Sequence, residues 1–166
     1  MRAPVPRSLR RRFPLRGFPR RLATPLLARG REQARDEAGV PELLDLLDQL
    51  RLPRAIATSS SRPTVERHLT AHGLTDRFDA IICRGDYETG KPAPDPFLKA
   101  AERLGVAPRL CLALEDSHIG VRSAAAAGMM TVMVPDLLEP TPELAALGIV
   151  VAGNLHEVRD LVLAAP

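Results

Sequence analysis

A three-layer α/β fold, a parallel sheet with helices packed on both faces, is what this 166-residue sequence predicts. Short continuous apolar runs recur from residue 54 onward, at 54–58 (RAIAT), 80–83 (AIIC), 110–114 (LCLAL) and 130–134 (MTVMV). Segments with helical periodicity separate them, and that alternation is how a parallel sheet buried on both sides reads. Composition agrees: 45% hydrophobic and 26% charged residues are ordinary for one globular domain. Aromatic content of 3% with no Trp means that Leu, Val, Ile and Ala must build the core.

Each element can be justified in order. Pro41 suits a first helical turn, and Leu43, Leu46, Leu47 and Leu50 repeat at helical spacing behind it. The strand 54–58 runs into Ser59, Ser60 and Ser61; Ser61 is placed to cap a helix with Pro63 near its start and Gly73 as its stop. After the strand 80–83 comes a polar loop, 84–94, and then a helix from Asp95 with Phe97, Ala100, Ala101 and Leu104 inward and Gly105 at its end. The strand 110–114 stops at Glu115 and Asp116, and an Ala-rich helix follows to Gly128. The strand 130–134, a Pro-rich surface connection at 135–142, a short strand at 149–152 and a helix over 156–164 complete the chain.

The net charge of +3 is unevenly distributed. Residues 1–31 hold ten Arg and no acid, so residues 32–166 carry thirteen basic against twenty acidic side chains, a net of −7. A basic, acid-free leader fits a nucleic-acid arm, a targeting peptide or a segment with no folded role. No apolar stretch follows it, Ser8 and Thr24 are its only hydroxyl residues, and no aromatic–basic alternation favours base stacking. The expectation is a disordered leader over 1–22 with no nucleic-acid partner. Cys83 and Cys111 fall inside predicted strands, far apart and without ligand spacing, so buried reduced thiols and a cytoplasmic protein are expected. No apolar run reaches the roughly 18–20 residues of a membrane helix.

In an open parallel sheet, ligands bind beyond the carboxyl ends of the strands, and three polar groups fall there. Thr58, Ser59 and Ser60 offer hydroxyls and backbone N–H groups just before a helix, which suits an anion; a helix cap alone is the plainer reading. Lys91 sits in Gly90-Lys91-Pro92-Ala93-Pro94-Asp95-Pro96-Phe97, a stiffened loop able to present one ammonium to phosphate, although a solvated surface Lys is commoner. Glu115 and Asp116 are adjacent carboxylates directly after an apolar strand, a donor set that suits Mg²⁺ with phosphate and water oxygens; the alternative is an exposed acidic pair capping the next helix.

Taken together, 55–60 (AIATSS), 90–97 (GKPAPDPF) and 112–129 (LALEDSHIGVRSAAAAGM) resemble the haloacid dehalogenase superfamily, in its branch of phosphatases and β-phosphoglucomutase-like phosphohexomutases. The resemblance spans about residues 40–160. It implies a Rossmann-like core over 40–166 that acts on phosphate monoesters of a small metabolite with Mg²⁺. Thr58 would hold the transferring phosphoryl group with the N–H groups of Ser59 and Ser60. Lys91 would neutralise it, and Glu115 and Asp116 would hold the metal directly or through water. Gly120 and Gly128 match the pattern as helix-packing and terminating residues. His118 falls where the family varies and reads as an exposed or capping side chain.

The family's reaction begins with an Asp in a D-x-D-G-T pattern at the end of the first strand, which attacks phosphorus while the second Asp serves as acid and base. No D-x-D occurs in this sequence; Asp36, Asp45 and Asp48 are the Asp residues before Thr58, and none follows an apolar strand. Set against the family, the chain reads as N-terminally truncated, lacking the nucleophile strand and most of the helical cap, with 23–39 a possible remnant of the cap's last helix. Activity is then doubtful, and a non-catalytic phosphate- or Mg²⁺-binding remnant is the alternative. The missing strand would be central, between those ending at Thr58 and Glu115, so the two either close up or leave backbone groups unpaired. Substrate identity and oligomeric state are not legible.

Overall fold

Residues 24–25 and 39–165 are the ones described in the computed structural model, and there strand and helix alternate as the apolar runs predict. The strands are β1 (Thr24–Pro25), β2 (Arg54–Ala57), β3 (Ala80–Ile82), β4 (Leu112–Glu115), β5 (Met130–Met133) and β6 (Val150–Val151). The helices are α1 (Val40–Gln49), α2 (Arg62–Ala71), α3 (Asp95–Leu104), α4 (His118–Ala126), α5 (Pro142–Ala145) and α6 (Leu155–Leu163).

Among the described residues every pairing is parallel, and the ladders form two three-stranded sheets of order β1-β2-β3 and β4-β5-β6. Strand β1 pairs with β2 in the register Thr24↔Arg54 and Pro25↔Ala55, and lies alongside β4, with no ladder between them among the described residues. The expectation of a central position left empty or closed up is therefore corrected: two residues of backbone occupy it. A strand this short, half of it Pro, has no apolar run to announce it. Of the segment 23–39, Thr24 and Pro25 form β1 and Gly39 is the N-cap of α1; its other residues and residues 1–22 lie outside the described residues.

Side-chain alternation along the strands sorts the core onto two faces. Leu112 and Leu114 of β4 join Val132, Val134 and Val150 under α1 and α6, which contribute Leu43, Leu44, Leu47, Leu155 and Val158. Ala113 faces the other way, together with Ala55 and Ala57 of β2, under Phe97, Ala100 and Ala101 of α3 and Ala124 of α4. Small residues on this second face let α3 and α4 lie close to the sheet. Ile56 packs separately with Val65 and Leu69 of α2.

Helix α1 ends at Leu50, which is its C-cap and 45% exposed instead of inward as the spacing predicts; Leu44 is buried in its stead. Arg51 then takes a left-handed φ of 53°, and Leu52 N–H donates to Leu47 O at 2.9 Å, closing the helix in the geometry usually served by Gly. An unpredicted turn of helix, α5, begins where the Pro-rich connection ends; Thr141 Oγ1 accepts from Leu144 N–H at 3.4 Å and Leu144 is fully buried. No helix among the described residues is long and apolar enough to cross a membrane. Both cysteines are buried and free, and burial pushes the Cys111 thiol up to about 11.

Candidate active site

Glu115 is the last residue of β4 and, by alternation, shares the face of Ala113, the side on which α3 and α4 pack. Its carboxylate is therefore driven under α4 and not into solvent, and the side chain is 3% exposed. The partner is Lys91, 5% exposed, whose ammonium donates to Glu115 Oε1 and stands 4.9 Å from the Phe97 ring centroid. Ser117 Oγ donates to Glu115 Oε2 at 3.1 Å and accepts from Gly120 N–H at 3.1 Å, so one hydroxyl caps α4 and holds the carboxylate. Burial raises the Glu115 carboxyl above its ordinary value, and the Lys91 ammonium opposes that shift.

Gly120 is more than a packing residue. A Cβ there would lie 2.0 Å from Glu115 Oε2 and 2.2 Å from its Cδ, so the carboxylate occupies the space a side chain would need. The loop carrying Lys91 is held on the same helix: Ser123 Oγ–H donates to Ala93 O, while Ala93 N–H closes a turn onto Gly90 O at 3.0 Å. Thr89 N–H donates to Asp95 Oδ2 at 2.9 Å, tying the start of α3 into the loop, and the Lys91-Pro92 peptide is cis.

Thr58 follows β2 and is 1% exposed. Its N–H donates to Ile82 O at 2.9 Å, its carbonyl accepts from Tyr87 Oη–H at 3.1 Å, and its Oγ1 accepts from Ser60 N–H at 3.0 Å. The hydroxyl proton of Thr58 and the N–H of Ser59 are the groups this arrangement leaves toward an anion. Ser59 is exposed and Ser60 half-buried at the start of α2. Thr58 thus lies at the carboxyl end of β2 and Glu115 at that of β4, with β1 between the two strands.

For a metal, Asp116 is the half-buried carboxylate next to Glu115, and it has no hydrogen bond or ion pair among the described residues. Glu115 has one oxygen on Lys91 and the other on Ser117. One available carboxylate with a second beside it fits Mg²⁺, which dehydrates reluctantly, keeps several waters and is held through few protein ligands. The described residues contain no group of three His, Cys, Asp or Glu that would hold an ion by themselves. His118 is half-buried, and its Nε2 is 2.8 Å from Glu139 O, a fastening of the 135–141 connection to the start of α4.

The pairing of Lys91 with Glu115, and the parts played by Ser117, Ser123, Tyr87 and Phe97, escape sequence reasoning. Ser117 alone carried a signal, since a Ser just before a helix is a cap.

A family model for haloacid dehalogenase-like hydrolase matches residues 27–134. The chain is 40% identical over 114 residues to YhcW of Bacillus subtilis, covering 69% of this chain and 52% of that one. It is 42% identical over 84 residues to fructose-1-phosphate phosphatase YqaB of Escherichia coli, covering 51% and 45%. The fold matches CbbY from Rhodobacter sphaeroides in complex with phosphate at a TM-score of 0.67 and 29% identity, covering 74% of this chain and 55% of that one. The chain thus spans about half the length of the curated relatives it matches.

Proposed function

Since the chain belongs to the haloacid dehalogenase-like hydrolases, we propose that it contributes the phosphate- and metal-binding side of a site that hydrolyses phosphate monoesters of a small metabolite. The observation that carries this reading is the buried Lys91–Glu115 pair at the carboxyl end of β4, beside a half-buried Asp116. A buried ammonium held in place by a carboxylate and a ring is a preorganised counter-charge, which is the form of electrostatic stabilisation that phosphoryl transfer needs.

In this reading the Thr58 hydroxyl and the Ser59 N–H orient the phosphoryl oxygens, while the Ser60 N–H holds Thr58 Oγ1 and Tyr87 and Ile82 fix the Thr58 backbone. Lys91 faces the same group and offsets its negative charge. Asp116, with Glu115 beside it, would hold Mg²⁺, which when bound supplies positive charge to the phosphate oxygens. The free, buried thiols suit a reducing compartment, and we place the protein in the cytoplasm on that ground. The Arg-rich segment that raised a nucleic-acid partner lies outside the described residues, and none is assigned.

Hydrolysis of 4-nitrophenyl phosphate with and without Mg²⁺, alongside ³¹P-monitored binding of inorganic phosphate, tests this function. Mg²⁺-dependent turnover lost in Asp116→Asn is the expected result. One observation favours a second reading, a phosphate- and Mg²⁺-binding protein without catalysis: no D-x-D occurs in the sequence. Phosphate binding lost in Lys91→Met, with no turnover by the wild type, would establish that second reading. Failure to bind phosphate in either condition would remove both.

A further inference from the structure

We propose that Ser123 is a positioning residue that fixes the Lys91 loop, and with it the Lys91 ammonium, onto α4. The functional importance of this placement rests on Lys91 being the phosphate-side cation.

Ser123 is 0% exposed in an otherwise Ala-rich stretch of α4, where Ala would be the better helix former. A fully buried hydroxyl is costly without a partner, and its partner here lies outside the helix, thirty residues away at Ala93 O. Ala93 is two residues beyond Lys91 and is flanked by Pro92 and Pro94, neither of which has an N–H to give. The Ala93 carbonyl is consequently a main polar handle by which this stretch can be fastened to a neighbouring element. Gly120, one turn earlier on α4, is the residue against which the Glu115 carboxylate rests. Helix α4 therefore locates both members of the ion pair: Gly120 and Ser117 place Glu115, and Ser123 places the loop that presents Lys91.

The sequence makes the test unusually clean, because Lys91 and Lys99 are its two lysines. The Lys91 side chain is 5% exposed and that of Lys99 32%. Reductive methylation under native conditions, read by peptide mass spectrometry, gives a Lys91 rate with Lys99 as internal reference. In Ser123→Ala the Lys91:Lys99 ratio should rise about threefold to tenfold, the range set by losing one buried hydrogen bond. Val121→Ala, which loosens the same helix at another 0% exposed site without touching the loop bond, should leave the ratio at the wild-type value.

A wild-type ratio in Ser123→Ala, or an equal rise in Val121→Ala, would overturn the assignment and reduce Ser123 to packing. The measurement does not depend on phosphate. Failure of the wild type to bind phosphate would defeat the functional reading and leave this ratio, and the positioning it reports, intact.

Discussion

Gly120 lies so close beneath Glu115 that a Cβ would sit 2.0 Å from one carboxylate oxygen and 2.6 Å from the other. The glycine is required there by a neighbour and not by its own backbone, since it lies within α4. Gly120→Ala must push the carboxylate away from Lys91 and Ser117. A loss of about 1–3 kcal/mol in stability is expected, in the range of overpacking in a closed core, and urea denaturation measures it. Phosphate titration of the same variant should show weaker binding, because Lys91 loses its fixed partner.

Lys91→Met leaves Glu115 buried without a counter-charge. The expected destabilisation is about 3–5 kcal/mol at neutral pH, the cost typical of breaking one side of a buried pair. Adding Glu115→Gln should recover much of it, since the remaining group is then neutral. A double-mutant cycle in urea checks this: additive losses would mean that the two side chains are not coupled.

Thr58→Val keeps a β-branched side chain in a 1% exposed position and removes the oxygen that accepts from Ser60 N–H. A stability cost of about 1 kcal/mol is expected from the lost hydrogen bond. Phosphate affinity should fall more than stability does, and calorimetric titration beside thermal unfolding separates the two effects.

Acid should weaken the fold through Asp86. The Cys83 N–H, donating at 2.8 Å, holds the Asp86 carboxyl below its ordinary value of 3.8; burial opposes this and the Arg62 guanidinium adds to it. A carboxyl whose folded pKa is depressed contributes stability above its unfolded pKa and loses that contribution as pH falls through the folded one. Stability should therefore decline with acidification below about pH 4, and Asp86→Asn should flatten the decline. Asp48, held low chiefly by its hydrogen bond from Arg54, keeps part of the slope in that variant. Urea midpoints compared across this range supply the measurement.

The layers, β2 to β5 and the placing of Thr58 and of Glu115-Asp116 at strand ends were legible in the sequence because each rests on local information: an apolar run, a helical spacing, a polar break after a strand. What escaped was pairwise. That Lys91 reaches Glu115, 24 positions on, follows from β4 alternation and the course of a loop that no local pattern encodes. Strand β4 extends to Glu115 instead of ending at Leu114, because Glu115 continues the ladder opposite Met133 and its carbonyl accepts from Val134 N–H. Strand β1 escaped for the opposite reason, since two residues are too few to carry a period.

Among the described residues no ladder joins β1 to β4, although the two strands lie in contact, and this sets a seam between the described ladders. Within each three-stranded group, neighbours share backbone hydrogen bonds; across the seam, cohesion comes from side chains such as Ala55, Ala57 and Ala113 meeting under α3 and α4. Side-chain packing yields more readily than a continuous ladder, so the two halves of the sheet should have separate opening free energies in native-state hydrogen exchange. The amides of β4 and β5 would then exchange as one cooperative group and those of β2 and β3 as another. On that division, Thr58 belongs to one group and Glu115 to the other, and a bound phosphate touching both would act as a cross-link between the two described ladders.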